Sequence, residues 1–407
     1  MAKYNYDKSV LKGLGTKAFL NEVKVRQEHI AAGENTIPTS VYNPNILGAK
    51  LHPAVQFGVI TGVKEYADAK TFTIAPDKEK GCDQLAYFRA GQYAAFLLTF
   101  DGAVMCRPYT ITSGPKDALG AEGNTYDITV KKSANGYASE YILNNWQVGS
   151  KLTFSGPLGE FYYQRLRDAK AVVALAGGSG ITPFISMAQS IADGTEDFQL
   201  TIIYGSRFHD NILLKERLFD YAVRSNGKVK VVNVLSDEQV KDYENGFITA
   251  ELIKKYAPAE DYSVFVCGPK AMYDFVGKEI EKLGLPKRRV RFELSGEYGD
   301  PTKDAAYPGL AGQTYKVKVW IRGEARDIVC KAEETLLHAM ETAGISVTSD
   351  CRSGQCGWCH SRLISGETYI PESHDGRRAG DKKFGWIHPC ATYPLSDIEL
   401  EVFPIRK

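Results

Sequence analysis

Four cysteines near one end constrain this chain more than any other feature. Cys351, Cys356 and Cys359 stand in a C-x4-C-x2-C run, and Cys390 follows after an interval of thirty residues. Thiolates are soft ligands, and this spacing is one that holds a [2Fe–2S] cluster. Such a loop must turn tightly with its amides aimed at the sulfurs, and Gly354 and Gly357 supply the permissive backbone. The alternatives are a structural zinc site or scattered buried thiols. Zinc sites usually pair two short C-x2–4-C knuckles, whereas here three cysteines share a loop and the fourth lies far off. Four of the eight cysteines crowd into the last sixty residues, which in a reducing compartment points to metal rather than disulfide.

At 407 residues the chain is too long for one ordinary core and suits roughly two to four domains. Fifty basic against forty-nine acidic residues leave a formal charge of +1, so no basic field exists to hold nucleic acid or anionic lipid. No apolar run approaches the roughly eighteen residues of a membrane span. The opening MAKYNYDKSVLKGLGTKAFL lacks the apolar core and cleavage site of a signal peptide, so the cytoplasm is the expected compartment.

Strand and helix patterns divide the chain into five parts. Residues 1–52 form an N-terminal extension with a helix-like stretch near Thr16–Ile30. Leu11, Leu14, Phe19, Leu20 and Val23 would make one apolar face of it, expected to pack on the chain's own barrel or linker; docking to a partner or a second copy is the alternative. Over residues 53–165, short alternating runs such as VQFGVITGV, QYAAFLLTF and TYDITVKK predict an antiparallel β-barrel. Over 166–295 the runs AVVALAG, TIIYGS, VKVVNVLS and YSVFVCG alternate with helical stretches, which predicts a parallel α/β sheet. Residues 296–313, rich in Gly, Pro and small residues, read as a linker. Residues 314–407 hold two strands, a helix, the cysteine loop and two closing strands. The expected fold class is therefore multidomain, α/β plus β.

The text CRSGQCGWC with the later HPCATYPLSDIELEV resembles the plant-type ferredoxin module, a β-grasp fold in that family. The likeness covers residues 314–407. Cys330 matches no ligand position and reads as a small core residue. This stretch holds thirteen basic and thirteen acidic residues. Free ferredoxins of that family are usually acidic, which helps them find a reductase, whereas a neutral one suits a module whose donor is tethered on the same chain.

Arg107-Pro108-Tyr109-Thr110 follows a strand-like run. One strand presenting these residues could offer a cation for phosphates, an aromatic for a flavin ring and a hydroxyl donor. Taken alone the motif is weak, since Tyr109 could be a core aromatic and Arg107 a surface ion pair. Gly136-Tyr137-Ala138-Ser139 comes next at a helix start, where backbone N–H groups can hold a pyrophosphate. That order, continued by the α/β half, resembles the ferredoxin–NADP reductase superfamily over about residues 54–294. The resemblance implies Arg107 on the flavin phosphate, Tyr109 packed on the ring, Thr110 bonded near N5, and Gly136 and Ser139 cradling the pyrophosphate. RPYT followed by I-x-S looks more like the FAD-binding branch than the FMN-binding one, so FAD is expected.

Gly177-Gly178-Ser179-Gly180-Ile181-Thr182-Pro183 joins a buried-type strand to a helix, where glycines let the backbone approach a diphosphate. It is not G-x-G-x-x-G, but it resembles the superfamily's GG-x-G-[IV]-[TA]-P turn, with Thr182 facing the nicotinamide. Cys267-Gly268-Pro269 with Met272 also matches that family, which implies Cys267 beside the reacting nicotinamide carbon; a buried structural thiol is the alternative. Ser206 and Arg207 follow the second strand of this half, where an acidic residue grips a 2′-hydroxyl and an Arg a 2′-phosphate. Arg207 leans towards NADPH, yet NADH-using relatives carry Arg there too, and the choice stays open. Phe292-Glu293 closes this half, and in the family a Glu there shapes the nicotinamide pocket or relays a proton; a surface glutamate is the alternative.

Together the resemblances imply an NAD(P)H-dependent oxidoreductase. Hydride would pass to FAD, then single electrons would pass through the cluster to a partner protein such as a terminal oxygenase or other iron enzyme. Alternatives are a reductase acting directly on a small molecule, an electron-transfer subunit of a larger complex, and a redox sensor. A sensor predicts incomplete motifs, and all are present. The superfamily's dihydroorotate dehydrogenase partner has its fourth cysteine closer to the third than here.

Overall fold

Alternating strands and continuously buried ones sort this chain into sheets of different kinds. The structure is a computed structural model that describes residues 15–32, 42–100, 103–120, 124–133, 136–294 and 296–403. It divides into two units, Met1–Lys50 and Leu51–Lys407. The first carries helix α1 (Thr16–Ala32) and most of α2 (Asn43–Leu51). Leu20 and Val23 are exposed on α1. Leu11, Leu14 and the Phe19 side chain, three of the residues expected on its apolar face, lie outside what is described.

In the second unit, β1 (Gln56–Glu65), β2 (Ala69–Pro76), β3 (Tyr93–Phe100), β4 (Ala103–Thr110), β5 (Tyr126–Lys131) and β6 (Lys151–Leu158) form one antiparallel sheet. Its order is β4-β3-β6-β1-β2-β5, and an Ile111–Ile128 bridge joins the two ends into a barrel. Alternation along these strands turns Phe72, Ile74, Phe96 and Phe154 inward. Helix α3 (Tyr137–Asn145) adds Ile142 to that core.

The next sheet is parallel, in the order β10-β9-β8-β7-β11-β12. Its elements in chain order are β7 (Ala171–Gly177), α4 (Thr182–Ala192), β8 (Gln199–Ser206), α5 (Lys215–Arg224), β9 (Val229–Leu235), β10 (Glu244–Asn245), α6 (Ala250–Tyr256), β11 (Tyr262–Cys267), α7 (Lys270–Glu281) and β12 (Val290–Phe292). Being covered on both faces, β7 is apolar at every position. Val172, Ala174 and Ala176 face α4 and α5, while Val173 and Leu175 join the core that holds Ile253 of α6 and Val276 of α7. The chain leaves β7 towards β8 on one side and returns at β11 on the other. That reversal opens a crevice at the strand C-termini, the usual ligand site of such sheets.

The last part comprises β13 (Thr314–Ile321), β14 (Glu324–Lys331), α8 (Leu336–Thr342), β15 (Ser361–Ser365), β16 (Thr368–Tyr369), α9 (Ala379–Lys383), β17 (Trp386–Ile387), β18 (Tyr393–Pro394) and β19 (Ile398–Val402). A five-stranded sheet in the order β14-β13-β19-β15-β17, with β13 and β19 parallel at its centre, wraps α8 through Leu336, Leu337 and Met340. This is a β-grasp arrangement. Cys330 is fully buried in its core, as expected of a small apolar residue.

Residues 296–313, which read from composition as a loose linker, are laced to their surroundings by aromatic side chains. Tyr393 donates its hydroxyl to the Gly299 carbonyl at 2.7 Å, Tyr307 to that of Ala332 at 2.8 Å, and Tyr369 to Asp304. The Lys270 ammonium lies 3.2 Å from the centre of the Tyr298 ring. Gly and Pro content measures the freedom of an isolated chain, and long-range tyrosine hydroxyls override it here.

Candidate functional site

The cysteine loop runs from the end of α8 to β15. Cys351, Cys359 and Cys390 are buried and Cys356 is exposed, and none of the eight cysteines is in a disulfide. Cys359 and Cys390 bring their sulfurs to 3.3 Å. Backbone amides aim inward, as the spacing requires. Ser353 and Cys356 donate to Cys351 Sγ at 3.4 and 3.3 Å, Gly354 to Cys390 Sγ at 3.3 Å, and Trp358 to Cys356 Sγ at 3.5 Å. These thiols titrate as one group, in which donors led by Cys356 push Cys351 down while Cys356 and Cys390 are pushed up. Gly354 has φ +76°, and a Cβ there would overlap the His374 carbonyl, so only glycine fits. This donor set suits an iron–sulfur cluster.

The loop rests on the barrel. Cys351 packs in one apolar cluster with Tyr93, Ala95 and Cys106 of β3 and β4. Its neighbour Asp350 accepts from Ser155 Oγ at 3.2 Å and Cys106 Sγ at 3.6 Å, and burial pushes its carboxyl up to about 6.

Arg107 and Tyr109 share one face of β4, with Pro108 between them and Thr110 at the strand end, opposite Tyr93. Tyr109 lies 6.2 Å from Phe96, and burial pushes its phenol up to about 12. Arg107 donates to the Cys106 carbonyl at 2.9 Å and sits 3.5 Å from Glu341 of α8. The start of α3 approaches the other end of the β3–β4 hairpin, where Tyr137 lies 4.6 Å from Phe100. Gly136 is the N-cap of α3, and a Cβ on it would crowd Ser139 and Ser133. The Ser139 hydroxyl donates to the Gly136 carbonyl at 2.8 Å and accepts from Ser133 N at 3.2 Å, so it shapes this loop from within.

Two glycine turns face each other across the crevice. Gly177 ends β7, Gly178 has φ +53°, and Gly180 and Ile181 lead into Thr182 at the head of α4. A Cβ on Gly180 would overlap the Cys267 carbonyl, and one on Gly177 or Gly268 would press on Met272 Sδ. Pro269 caps α7. Thr182 Oγ1 donates to Ser179 O at 3.0 Å. Burial pushes the Cys267 thiol well up. Tyr273, which sequence reasoning missed, accepts from Gly268 N at 3.1 Å and donates to the Glu293 carbonyl. It ties the Cys267–Pro269 turn to the end of β12.

Burial pushes the Glu293 carboxyl up to about 8, against the pull of Arg291. The group therefore stays protonated in the folded protein at pH values where the unfolded chain has lost the proton. Its contribution to stability is full below the unfolded carboxylate range and falls as pH rises towards 8. Glu293→Gln should melt roughly 2–4 °C above the parent at pH 8.5, with the gap closing towards pH 4.5. Calorimetry at the two pH values checks this, and a gap that does not change with pH contradicts it.

Ser206 ends β8, and its buried hydroxyl has no hydrogen-bond partner among the described residues. Arg207 donates through Nε to Asp237 Oδ2 at 2.6 Å. Asp237 had no signal in the sequence, because only the parallel register of β8 and β9 brings it beside Arg207.

Three sequence-family models match the chain in order: the oxidoreductase FAD-binding domain over residues 64–163, the oxidoreductase NAD-binding domain over 174–278, and the 2Fe-2S iron-sulfur cluster binding domain over 319–395. The chain belongs to the ferredoxin–NADP reductase superfamily and ends in a [2Fe–2S] ferredoxin domain. Like other such reductases, it carries electrons from NAD(P)H through FAD to the cluster. Among the relatives of this reductase is the ferredoxin reductase component of 3-ketosteroid-9-alpha-monooxygenase from Rhodococcus rhodochrous, 29% identical over 82% of this chain and 93% of that one. NADH oxidoreductase HCR of Escherichia coli is 27% identical over 78% and 90%. In fold the reductase is similar to phthalate dioxygenase reductase, with a TM-score of 0.60 at 23% identity over 86% of this chain and 98% of that one. None of its described helices is long and apolar enough to cross a membrane.

Proposed function

We propose that this reductase takes hydride from NADH and delivers electrons to a separate protein, a terminal oxygenase component or related iron enzyme. The observation that carries the flavin-to-cluster step is the packing of Cys351 against Tyr93, Ala95 and Cys106, which sets the cluster loop against β3 and β4. The acceptor class rests on relatives. They include the 3-ketosteroid-9-alpha-monooxygenase component, the reductase of a glycine betaine monooxygenase and a component of the 1,2-phenylacetyl-CoA epoxidase. The eight free cysteines support a reducing compartment, the cytoplasm.

In this reading Cys351, Cys356, Cys359 and Cys390 hold the cluster. Arg107 and the N-terminus of α3, with Gly136 and Ser139 shaping the turn, hold the FAD phosphates. Tyr109 packs on the flavin ring, and Thr110 donates to its edge. Gly177, Gly178, Gly180 and Thr182 receive the dinucleotide, Cys267-Gly268-Pro269 backs the nicotinamide, and Glu293 closes the pocket with a carboxyl kept neutral at pH 7. Anaerobic stopped-flow absorbance with NADH, followed by EPR, tests the route. Flavin bleaching and then a rhombic cluster signal support it, and flavin bleaching with the cluster left oxidised contradicts it.

The donor preference follows from Asp237. A carboxylate beside Arg207 neutralises the guanidinium and repels a 2′-phosphate, while it can accept from a 2′-hydroxyl. NADH should exceed NADPH in kcat/KM by about tenfold or more, a gap of about 1.4 kcal/mol. Asp237→Ser should raise NADPH activity about tenfold by freeing Arg207. An unchanged ratio in that variant would show that Asp237 does not read the 2′ position.

A further inference from the structure

Four charged side chains meet where the ferredoxin domain touches the barrel, and each comes from a different element. Arg352, one residue past Cys351 and at φ +57°, is almost wholly buried. It donates to both oxygens of Glu341 on α8, at 2.6 and 2.9 Å, and also to Glu297. Glu341 is in turn 3.5 Å from Arg107 of β4. Glu297 accepts a second bond from Thr335 Oγ1 at 2.9 Å, and Thr335 is the N-cap of α8. Two cations and two anions make the group neutral.

Glu297 belongs to the connecting segment, bonds Arg352 and Thr335 of the ferredoxin domain, and reaches Arg107 of β4 through Arg352 and Glu341. Four residues earlier, Glu293 is held to β11 through its amide, 2.9 Å from the Val266 carbonyl, and to α7 through Tyr273. One short stretch of chain therefore ties the nicotinamide end to the cluster loop. Without the Glu297 carboxylate, Arg107 and Arg352 would share the single charge of Glu341. Arg352 would lose one of its two carboxylate partners, and each guanidinium would compete with the other for Glu341.

We propose that Glu297 is a positioning residue that fixes the cluster loop against the flavin strand, so that the ferredoxin domain receives electrons in a fixed dock and does not swing on a tether. A second contact shares this interface, since Val104 N of β4 donates to Ser346 Oγ at 2.9 Å. The inference rests on the NADH-to-cluster route above.

The test uses the full chain loaded with FAD and cluster, mixed anaerobically with NADH. In Glu297→Gln, flavin bleaching should stay within about twofold of the parent, while cluster reduction slows about tenfold or more. The cluster's EPR line shape should not change, and hydrogen exchange at the Val104 amide should rise about tenfold. Glu297→Asp should recover most of both rates. Ser346→Ala, which leaves the charged group intact, should slow cluster reduction in the same direction by less. An unchanged second phase with unchanged Val104 exchange would overturn the proposal. So would loss or distortion of the cluster signal in Glu297→Gln, which would make Glu297 a residue of cluster retention. Failure of the parent protein itself to pass electrons from NADH to the cluster would count against the donor route, separately from Glu297.

Discussion

Cys359→Ala is expected to abolish the [2Fe–2S] EPR signal while NADH still bleaches the flavin. Cys359 is buried beside Cys390 and forms part of the core that also holds Leu336, Met340 and Leu400. With three thiolates left, the loop keeps the amides aimed at Cys351, Cys356 and Cys390, but a cluster bound by four cysteines loses one of its ligands. Cluster binding is also folding energy for this domain, so its loss should lower the melting temperature of residues 314–402. The barrel and the parallel sheet have separate cores, so their transition and the hydride step should persist. Electron delivery to a one-electron protein acceptor such as cytochrome c should fall about a thousandfold or more, since the outlet is missing. Iron analysis, EPR and stopped-flow on one preparation decide the matter. A variant that keeps its iron and its EPR signal would show that Cys359 is not a ligand.

How much of this could be read in advance depended on how local each feature is. The cluster loop was legible because three of its cysteines lie within nine residues, and spacing alone encodes the geometry. The two glycine turns were legible for the same reason, each lying between a buried strand and a helix. Gly136 and Ser139 were legible as a helix-start turn, while the Ser139 hydroxyl's bond to the carbonyl three residues back, which shapes that turn, is visible only in the structure. Asp237 was invisible, since thirty residues separate it from Arg207 and only strand register joins them.

The connecting segment shows the sharpest limit. Its Gly and Pro content is local information, whereas the groups that fix it are Thr335, Arg352, Tyr369 and Tyr393, all far along the chain. Arg107 carries a related lesson. Its motif points to a phosphate, and the structure adds Glu341 beside it, so one guanidinium faces both the flavin site and the ferredoxin domain. Pattern finds the residues that face a cofactor, and topology finds those that join the sites to one another.

Gly180→Ala should cut NADH-driven flavin reduction far more than Gly177→Ala, although both glycines belong to the same turn. At Gly180 the added methyl would overlap the carbonyl and the following amide of the Cys267–Gly268 link, which are backbone atoms with strands and turns behind them. At Gly177 the obstacle is Met272 Sδ, the middle of a side chain with several soft torsions, together with the edge of Pro269. Overpacking against rigid atoms costs about 1–3 kcal/mol, so the two glycine turns must part and the nicotinamide would meet the flavin out of position. That corresponds to a loss of roughly 5- to 150-fold in kcat/KM for NADH in Gly180→Ala, against less than about tenfold in Gly177→Ala. Flavin content and the cluster signal should be normal in both, because the barrel and the ferredoxin domain are untouched. Dithionite, which bypasses the nicotinamide site, should reduce both variants as fast as the parent. Equal losses in the two variants would mean that Met272 is as immovable as the backbone, and that the crevice tolerates no widening at either glycine.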